Sequence, residues 1–291
     1  AVVKFPRFLW LPPLRGIILP RRAPKSAHAY ASIWTEQGSP LMFHTRALAV
    51  ALERELAHTP GGVHVEIAMR YGSPSLAQGL HALAARGAAR ALVVPLYPQF
   101  SGTTTGTKLS KLDELDRADP LPLRWTAVRS FPDDAGYIAA LAARVTETCA
   151  SAPPEHYVFS FHGIPVRYAR AGDPYETECR RTADALAREL GLARERWTLA
   201  YQSRFGPEKW LGPATRDVVL ALSRKQVKCA VVLPGFATDC LETLEEIGKA
   251  LAEEVRAVGG AEFIVVPALN THPRWVTALA DLVRRSAETA S

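Results

Sequence analysis

The residues able to do chemistry in this chain gather around one imidazole and a spaced set of carboxylates. His162 stands in Ser160-Phe161-His162-Gly163-Ile164-Pro165, directly after the apolar run Tyr157–Phe161 and just ahead of Gly163 and Pro165. A side chain placed there emerges at the end of a strand, where an imidazole exchanges protons near neutral pH or binds a borderline metal such as ferrous iron. A histidine so placed also serves as a plain loop residue held by a backbone hydrogen bond, so a partner group has to decide between the two.

Asp239, Glu242 and Glu246 offer that partner, at spacing i, i+3 and i+7 at the start of a helical pattern. At 100° per residue they fall within about 60° of one another, while Leu241, Leu244, Ile247, Leu251 and Val255 collect on the other side. Helix capping explains Asp239 and Glu242 equally well, since Asp-x-x-Glu has the spacing of a capping box and acidic groups suit a helix N-terminus. It does not explain Glu246, whose like charge four residues from Glu242 costs roughly a few tenths of a kcal/mol on an isolated helix. Lys249 softens that cost.

Three further places follow strand patterns or carry charge. Met69-Arg70-Tyr71-Gly72 is one. The loop Gly102-Thr103-Thr104-Thr105-Gly106 is another, rich in hydroxyls and backbone N–H groups at a helix start and so shaped like an anion cradle. No Gly-Lys-Ser/Thr closes it and no GxGxxG follows a strand, which disfavours nucleotides. Arg21, Arg22 and Lys25 form a short basic cluster, suited to substrate carboxylates or simply to solvent.

These groups need a scaffold, and 291 residues suggest two domains. With 48% hydrophobic and 22% charged residues the composition is that of a folded globular chain. Thirty-five basic residues against 29 acidic give +6, a balance that favours anionic partners. Scattered aromatics without a basic stripe speak against nucleic acid. Cys149, Cys179, Cys229 and Cys240 show no CxxC spacing, so neither a disulfide framework nor a zinc site is expected, and a reducing cytoplasm is. Phe8 to Pro20 is interrupted by Pro12, Pro13 and Arg15 and is too short to span a bilayer. It also lacks the features of a signal peptide.

From Val63 onward short apolar runs alternate with amphipathic helical patterns, a βαβ rhythm that predicts parallel sheets covered on both faces. Strands are expected at Val63–Arg70, Ala91–Leu96, Leu123–Arg129, Tyr157–Phe161, Trp197–Gln202, Cys229–Leu233 and Phe263–Val266. Helices are expected between and after them, including Asp239–Val258. The opening helical pattern, Pro40–Ala57, has no strand in front of it, so the first domain is expected to lack an N-terminal strand. The domains are expected at 1–134, with an apolar, basic lip over residues 1–30, and at 135–291, with the last helix packing back on the first domain.

Taken together, these stretches resemble ferrochelatase over nearly the whole chain. The most specific pieces are Ser160 to Pro165, then Tyr201-Gln202-Ser203-Arg204-Phe205-Gly206-Pro207 with Trp210-Leu211-Gly212-Pro213, and Pro234-Gly235-Phe236 through Asp239 to Ile247. Tyr97-Pro98-Gln99 with the Thr-rich loop, and Pro24-Lys25-Ser26 with Trp34 to Pro40, fit as well. The resemblance implies two similar Rossmann-like α/β domains of the chelatase kind, with a porphyrin cleft between them. It implies insertion of Fe2+ into protoporphyrin IX to form protohaem, the last step of haem biosynthesis.

By the same resemblance His162 is the metal-site histidine and acceptor of pyrrole protons, Glu242 binds iron or relays protons, and Glu246 and Asp239 extend the acidic path. Arg70 and Tyr71 belong to the opposite wall, Arg22, Lys25 and Ser203 hold the propionates, and Phe236, Phe131 and Trp210 border the ring. Iron is then a substrate with no permanent cofactor. No Cys follows Cys240, so no iron–sulfur cluster is expected. Cys240 itself matches bacterial members that use protoporphyrin. The lip is expected to touch a membrane peripherally. The chain opens after the family's first strand, so it is expected to fold less stably or to work poorly as given. The competing readings are a related cobalt or nickel chelatase and a non-catalytic tetrapyrrole-binding protein.

Overall fold

Apolar runs bounded by turn residues become strands wherever neighbouring runs can complete their backbone hydrogen bonds, and in the second half of the chain they do. In the computed structural model, residues 19–118, 120–204 and 206–289 are described, apart from the side chains of residues 19, 21 and 22. Strands β3 (His156–His162), β4 (Trp197–Gln202), β5 (Cys229–Val232) and β6 (Ile264–Val265) form one parallel sheet in the order β4-β3-β5-β6. β3 is paired on both edges, and its last rung sets His162 opposite Gln202. Val158, Phe159, Ala230 and Val231 are fully buried, as expected for a parallel strand covered on both faces. α5 (Ala135–Cys149), α7 (Tyr175–Glu189) and α8 (Thr215–Arg224) supply that cover, with α6 (Val166–Arg170) as a short turn between β3 and α7.

The first half is sparser. After α1 (Leu19–Ile33) and α2 (Pro40–Glu55) come α3 (Leu76–Ala85), β1 (Arg90–Val93), α4 (Thr105–Ala118) and β2 (Arg124–Ala127). β1 and β2 pair in parallel as a two-stranded sheet around Leu76, Leu80, Ala91, Leu112 and Leu123. Val63–Arg70 does not become the strand its pattern predicts. It forms no ladder among the described residues, beyond a single bridge from Met69 to Ser75. The Val65 N–H donates instead to the Glu53 carboxylate at 3.3 Å. The run and β1 line the same cavity.

Asp239–Val258 departs from expectation in its winding. Glu242–Leu251 is a π-helix that continues into an α-helix over Ala252–Ala257; together they are α9. The i→i+5 bonds of a π-helix widen its turn, and such segments concentrate at functional sites. Gly248 suits the winding, since a Cβ there would stand 3.3 Å from the Thr243 carbonyl oxygen.

The main core runs through both halves, from Leu48 and Phe131 to Phe159 and Leu279. α10 (Pro273–Thr289) packs on α5, α2 and β1. Buried polar bonds cross the same boundary: Phe100 N–H donates to Glu178 at 2.6 Å and Gln99 Nε2 to Thr182 Oγ1 at 2.8 Å. Both join the loop after β1 to α7, so that loop is held against the second half. Among the described residues no helix is long and apolar enough to cross a membrane.

Candidate active site

Because β3 ends at His162, the chain turns there into the space beyond the carboxyl edge of the sheet, where open parallel sheets bind ligands. The His162 Nδ1 lies 2.7 Å from the Gly163 carbonyl oxygen. A carbonyl only accepts, so Nδ1 carries the hydrogen and Nε2 of the neutral ring keeps its lone pair. Glycine is required next to it, since a Cβ at Gly163 would sit 2.9 Å from the Gln202 carbonyl oxygen and 3.2 Å from the Trp210 ring. His162 lines a cavity of about 2610 Å³ that also takes in Glu242, Arg70, Tyr71, Phe236 and Trp210. Six of the residues singled out in the sequence therefore share one space.

The other acids are committed elsewhere. Asp239 is buried; its Oδ1 accepts from Thr243 Oγ1 at 2.8 Å and Ala268 N–H at 3.2 Å, and its Oδ2 from Asn270 Nδ2 at 2.7 Å. It ties the start of α9 to the loop after β6. Glu246 accepts from the Ser203 N–H at 2.7 Å and the Ser203 hydroxyl at 2.6 Å. Ser203 has a left-handed backbone, φ 63°, which these two bonds secure. The Ser203 hydroxyl is thereby spent on Glu246, and neither residue lines the cavity. Lys25 is exposed on α1 away from the lining, and the Arg22 side chain lies outside the described residues, as do residues 1–18 of the lip. Phe131 packs in the core against Tyr137 and Trp275.

Glu242 is set by its neighbours on β4. Ser160 Oγ donates to Gln202 Oε1 at 2.7 Å, which turns the Gln202 amide so that Nε2 donates to the Glu242 carbonyl at 3.0 Å. The first turn of α9 is thus locked to the strand beside His162, and the Glu242 carboxylate is left facing the cavity. Its charge is felt across the space. Burial, Cys240 and Glu242 push the Tyr97 hydroxyl above its usual range, and burial with Glu242 does the same to Tyr30. Burial, with Glu242 as the nearest charge, likewise holds the Cys240 thiol protonated.

The facing wall is cationic and aromatic. The Lys108 ammonium lies 4.0 Å from the Tyr97 ring centre and the Arg70 guanidinium 4.9 Å from that of Tyr71. Tyr97, Lys108, Tyr30 and Cys240 were not picked out from the sequence as site residues. The advance signals were that Tyr97 and Cys240 lie in stretches that carry the family resemblance and that Lys108 follows the Thr-rich loop. That loop is not an open anion cradle either, because Asp173 fills it, accepting from the Ser101 hydroxyl at 2.9 Å and the Gly102 N–H at 2.8 Å.

Comparison with known proteins agrees with this geometry. The profile of the family described as Ferrochelatase matches residues 1–287. Ferrochelatases of Azoarcus sp. (strain BH72) and Aeromonas hydrophila are 48% and 45% identical to this chain; each alignment takes in 98% of the chain, and 79% and 88% of those proteins. The fold is shared with the sirohydrochlorin chelatase SirB from Bacillus subtilis subspecies spizizenii in complex with cobalt (TM-score 0.58, 15% identity, 84% of this chain and 89% of that one). SirB from Bacillus subtilis with Fe3+ is similar too (TM-score 0.60, 16% identity, 87% and 94%). The chelatase architecture, a profile match over almost every residue and relatives aligned along nearly the whole chain lead to one assignment: the chain belongs to the ferrochelatase family, enzymes that insert ferrous iron into protoporphyrin to form protohaem.

Proposed function

We propose that the cavity lined by His162 and Glu242 performs this insertion with those two side chains in complementary roles. Metal insertion removes two pyrrole N–H protons and strips water from a cation, on a macrocycle that resists both while flat. A cleft that favours the bent ring exposes the nitrogen lone pairs and so binds the transition state better than the ground state. His162 Nε2, kept free because Nδ1–H is held by Gly163, accepts the protons. Glu242 escorts the iron, a hard carboxylate meeting a divalent cation, while Asp239 and Glu246 hold the helix that presents it. Phe236 and Trp210 border the ring. Iron serves here as substrate, and the reading assigns no resident iron–sulfur cluster.

The observation that carries this is the pairing of an imidazole with a committed tautomer and a cavity-facing carboxylate, presented by adjacent elements through Gln202. In an anaerobic insertion assay, His162→Ala and Glu242→Gln each abolish turnover while porphyrin binding, followed by fluorescence, survives. Undiminished turnover in either variant removes the assignment. The reading also places the enzyme in the cytoplasm, touching a membrane peripherally through the lip, whose described end exposes Tyr30, with Trp34 exposed just beyond it. Flotation with liposomes checks this; protein that stays at the bottom of the gradient refutes it.

A further inference from the structure

The segment that delivers Glu242 to the cavity has no regular structure of its own. Ala237, Thr238, Cys240, Leu241 and Glu242 line the cavity, yet residues 237–240 belong to no helix or strand, so other bonds have to hold what a ladder does not. They come from behind. Asn270, buried in the loop after β6, donates its N–H to the Ala237 carbonyl at 2.9 Å. Its side-chain carbonyl accepts the Asp239 N–H at 2.9 Å, and its amide nitrogen donates to Asp239 Oδ2 at 2.7 Å. Three bonds from one residue thus grip positions 237 and 239, and neither Asp239 nor Asn270 lines the cavity. The grip has a fixed base, because α5 holds both ends of the same loop: Arg144 donates to the Ala268 carbonyl at 3.3 Å, and His272 Nε2 lies 3.1 Å from the Glu147 carboxylate.

Few side chains fit this position. Its backbone is left-handed, φ 47°, a region that asparagine tolerates better than most residues. The group facing Asp239 must accept at one atom and donate at another, which a planar amide does and a carboxylate does not. A non-glycine residue held in such a conformation marks a place where its surroundings demand it. We propose that Asn270 is a positioning residue for iron insertion, the amide that sets the segment from Ala237 to Asp239 and through it the place of the Glu242 carboxylate. The proposal rests on the reading of Glu242 as the acid that meets the cation, and deepens it by naming the group that holds it there. A displacement of about 1 Å at a reacting group can cost about a hundredfold in rate, so a clamp outside the cavity is open to a kinetic test.

The test exchanges the partners. Asn270→Asp sets two carboxylates against each other, and Asp239→Asn sets two amide nitrogens against each other. Both changes together restore a donor facing an acceptor and keep an acceptor for the N–H of position 239. The unaltered chain and the three variants are assayed for anaerobic iron insertion and for porphyrin binding by fluorescence, at a temperature below all their melting points. Each single variant should lose about tenfold or more in kcat/KM for ferrous iron with porphyrin binding unchanged, and the exchanged pair should recover to within about threefold. A folded single variant that inserts iron at the unaltered rate overturns the proposal, and so does an exchanged pair as slow as the product of the two singles. Equal loss of insertion and of porphyrin binding overturns it too, since Asn270 then shapes the pocket rather than placing the acid. Where Asn270→Asp does not fold, Asn270→Gly takes its place and its iron-specific loss is judged in the same way, because glycine adopts this backbone freely and removes only the amide. Glu242→Gln, run alongside, separates this from the parent reading. Turnover in that variant removes Glu242 from the reaction, whereas a dead Glu242→Gln beside an unimpaired Asn270→Asp removes Asn270 alone.

Discussion

Lys108 should be held at a measurable cost to the free protein, and that cost can be worked out. Lowering its ammonium from 10.5 to about 8 penalises the charged form. At about 1.36 kcal/mol for each pKa unit the ceiling is roughly 3 kcal/mol. The side chain is only partly buried, so solvent screening reduces this to about 1–2 kcal/mol. Stacking on Tyr97 returns about 0.5–1 kcal/mol. Lys108→Met, which keeps the aliphatic stem and drops the charge, should therefore stabilise the unliganded protein by about 1 kcal/mol near neutral pH.

The pH dependence fixes the sign. Between about 8 and 10.5 the native state binds fewer protons at this group than the unfolded chain does, so stability rises with pH there. The penalty is complete below about pH 8 and has been lifted by pH 10.5, so the advantage of Lys108→Met must shrink over that window. Urea unfolding of both proteins at about pH 7 and about pH 10, read as the difference between them, cancels every other titrating group. A methionine variant less stable at neutral pH, or an advantage unchanged at high pH, would refute the reasoning.

Three other perturbations follow from single contacts. Gly163→Ala drives a Cβ to 2.9 Å from the Gln202 carbonyl, so it should cost about 1–3 kcal/mol in thermal unfolding and slow iron insertion by shifting His162. Ser203→Gly and Ser203→Ala lose the same hydroxyl bond to Glu246, but glycine relieves the positive φ. It should melt a few degrees higher than the alanine variant, by about 1 kcal/mol. Glu178→Ala strands the buried Phe100 N–H and the Ser130 hydroxyl; a loss of about 1–3 kcal/mol in urea, with faster amide exchange in the loop after β1, is the expected result.

Where a run could complete its bonds with neighbours, its pattern was enough to read it. β3, β4 and β5 lie where their apolar runs predicted, and His162 emerges at the end of β3. Val63–Arg70 has an equally convincing strand pattern, but periodicity reports which faces are apolar and says nothing about whether a partner strand stands beside them. The π winding of Glu242–Leu251 was illegible for a related reason. The apolar spacing of Ile247, Leu251 and Val255 satisfies an α-helix, and the bonds that hold the start of the wider turn are tertiary: Gln202 to the Glu242 carbonyl, and Ala268 and Asn270 to Asp239. The pairing of Lys108 with Tyr97 was not legible because a cation over a ring joins residues eleven apart in sequence through a loop whose course no local rule gives.

The sorting of the three acids shows most clearly what a helix face leaves open. A carboxylate has about four acceptor positions. Asp239 uses three of them on Thr243, Ala268 and Asn270, within the core. Glu246 gives one oxygen to the backbone and the other to the hydroxyl of Ser203. A group so satisfied gains little from a cation and must break charge-assisted bonds to take one. Glu242 shares their helix, yet its backbone carbonyl is what binds Gln202, and its carboxylate faces the cavity with the Cys240 thiol beside it. Spacing made the three equivalent; hydrogen-bond capacity separates them, with the Glu242 carboxylate turned to the cavity and the other two holding the helix that carries it.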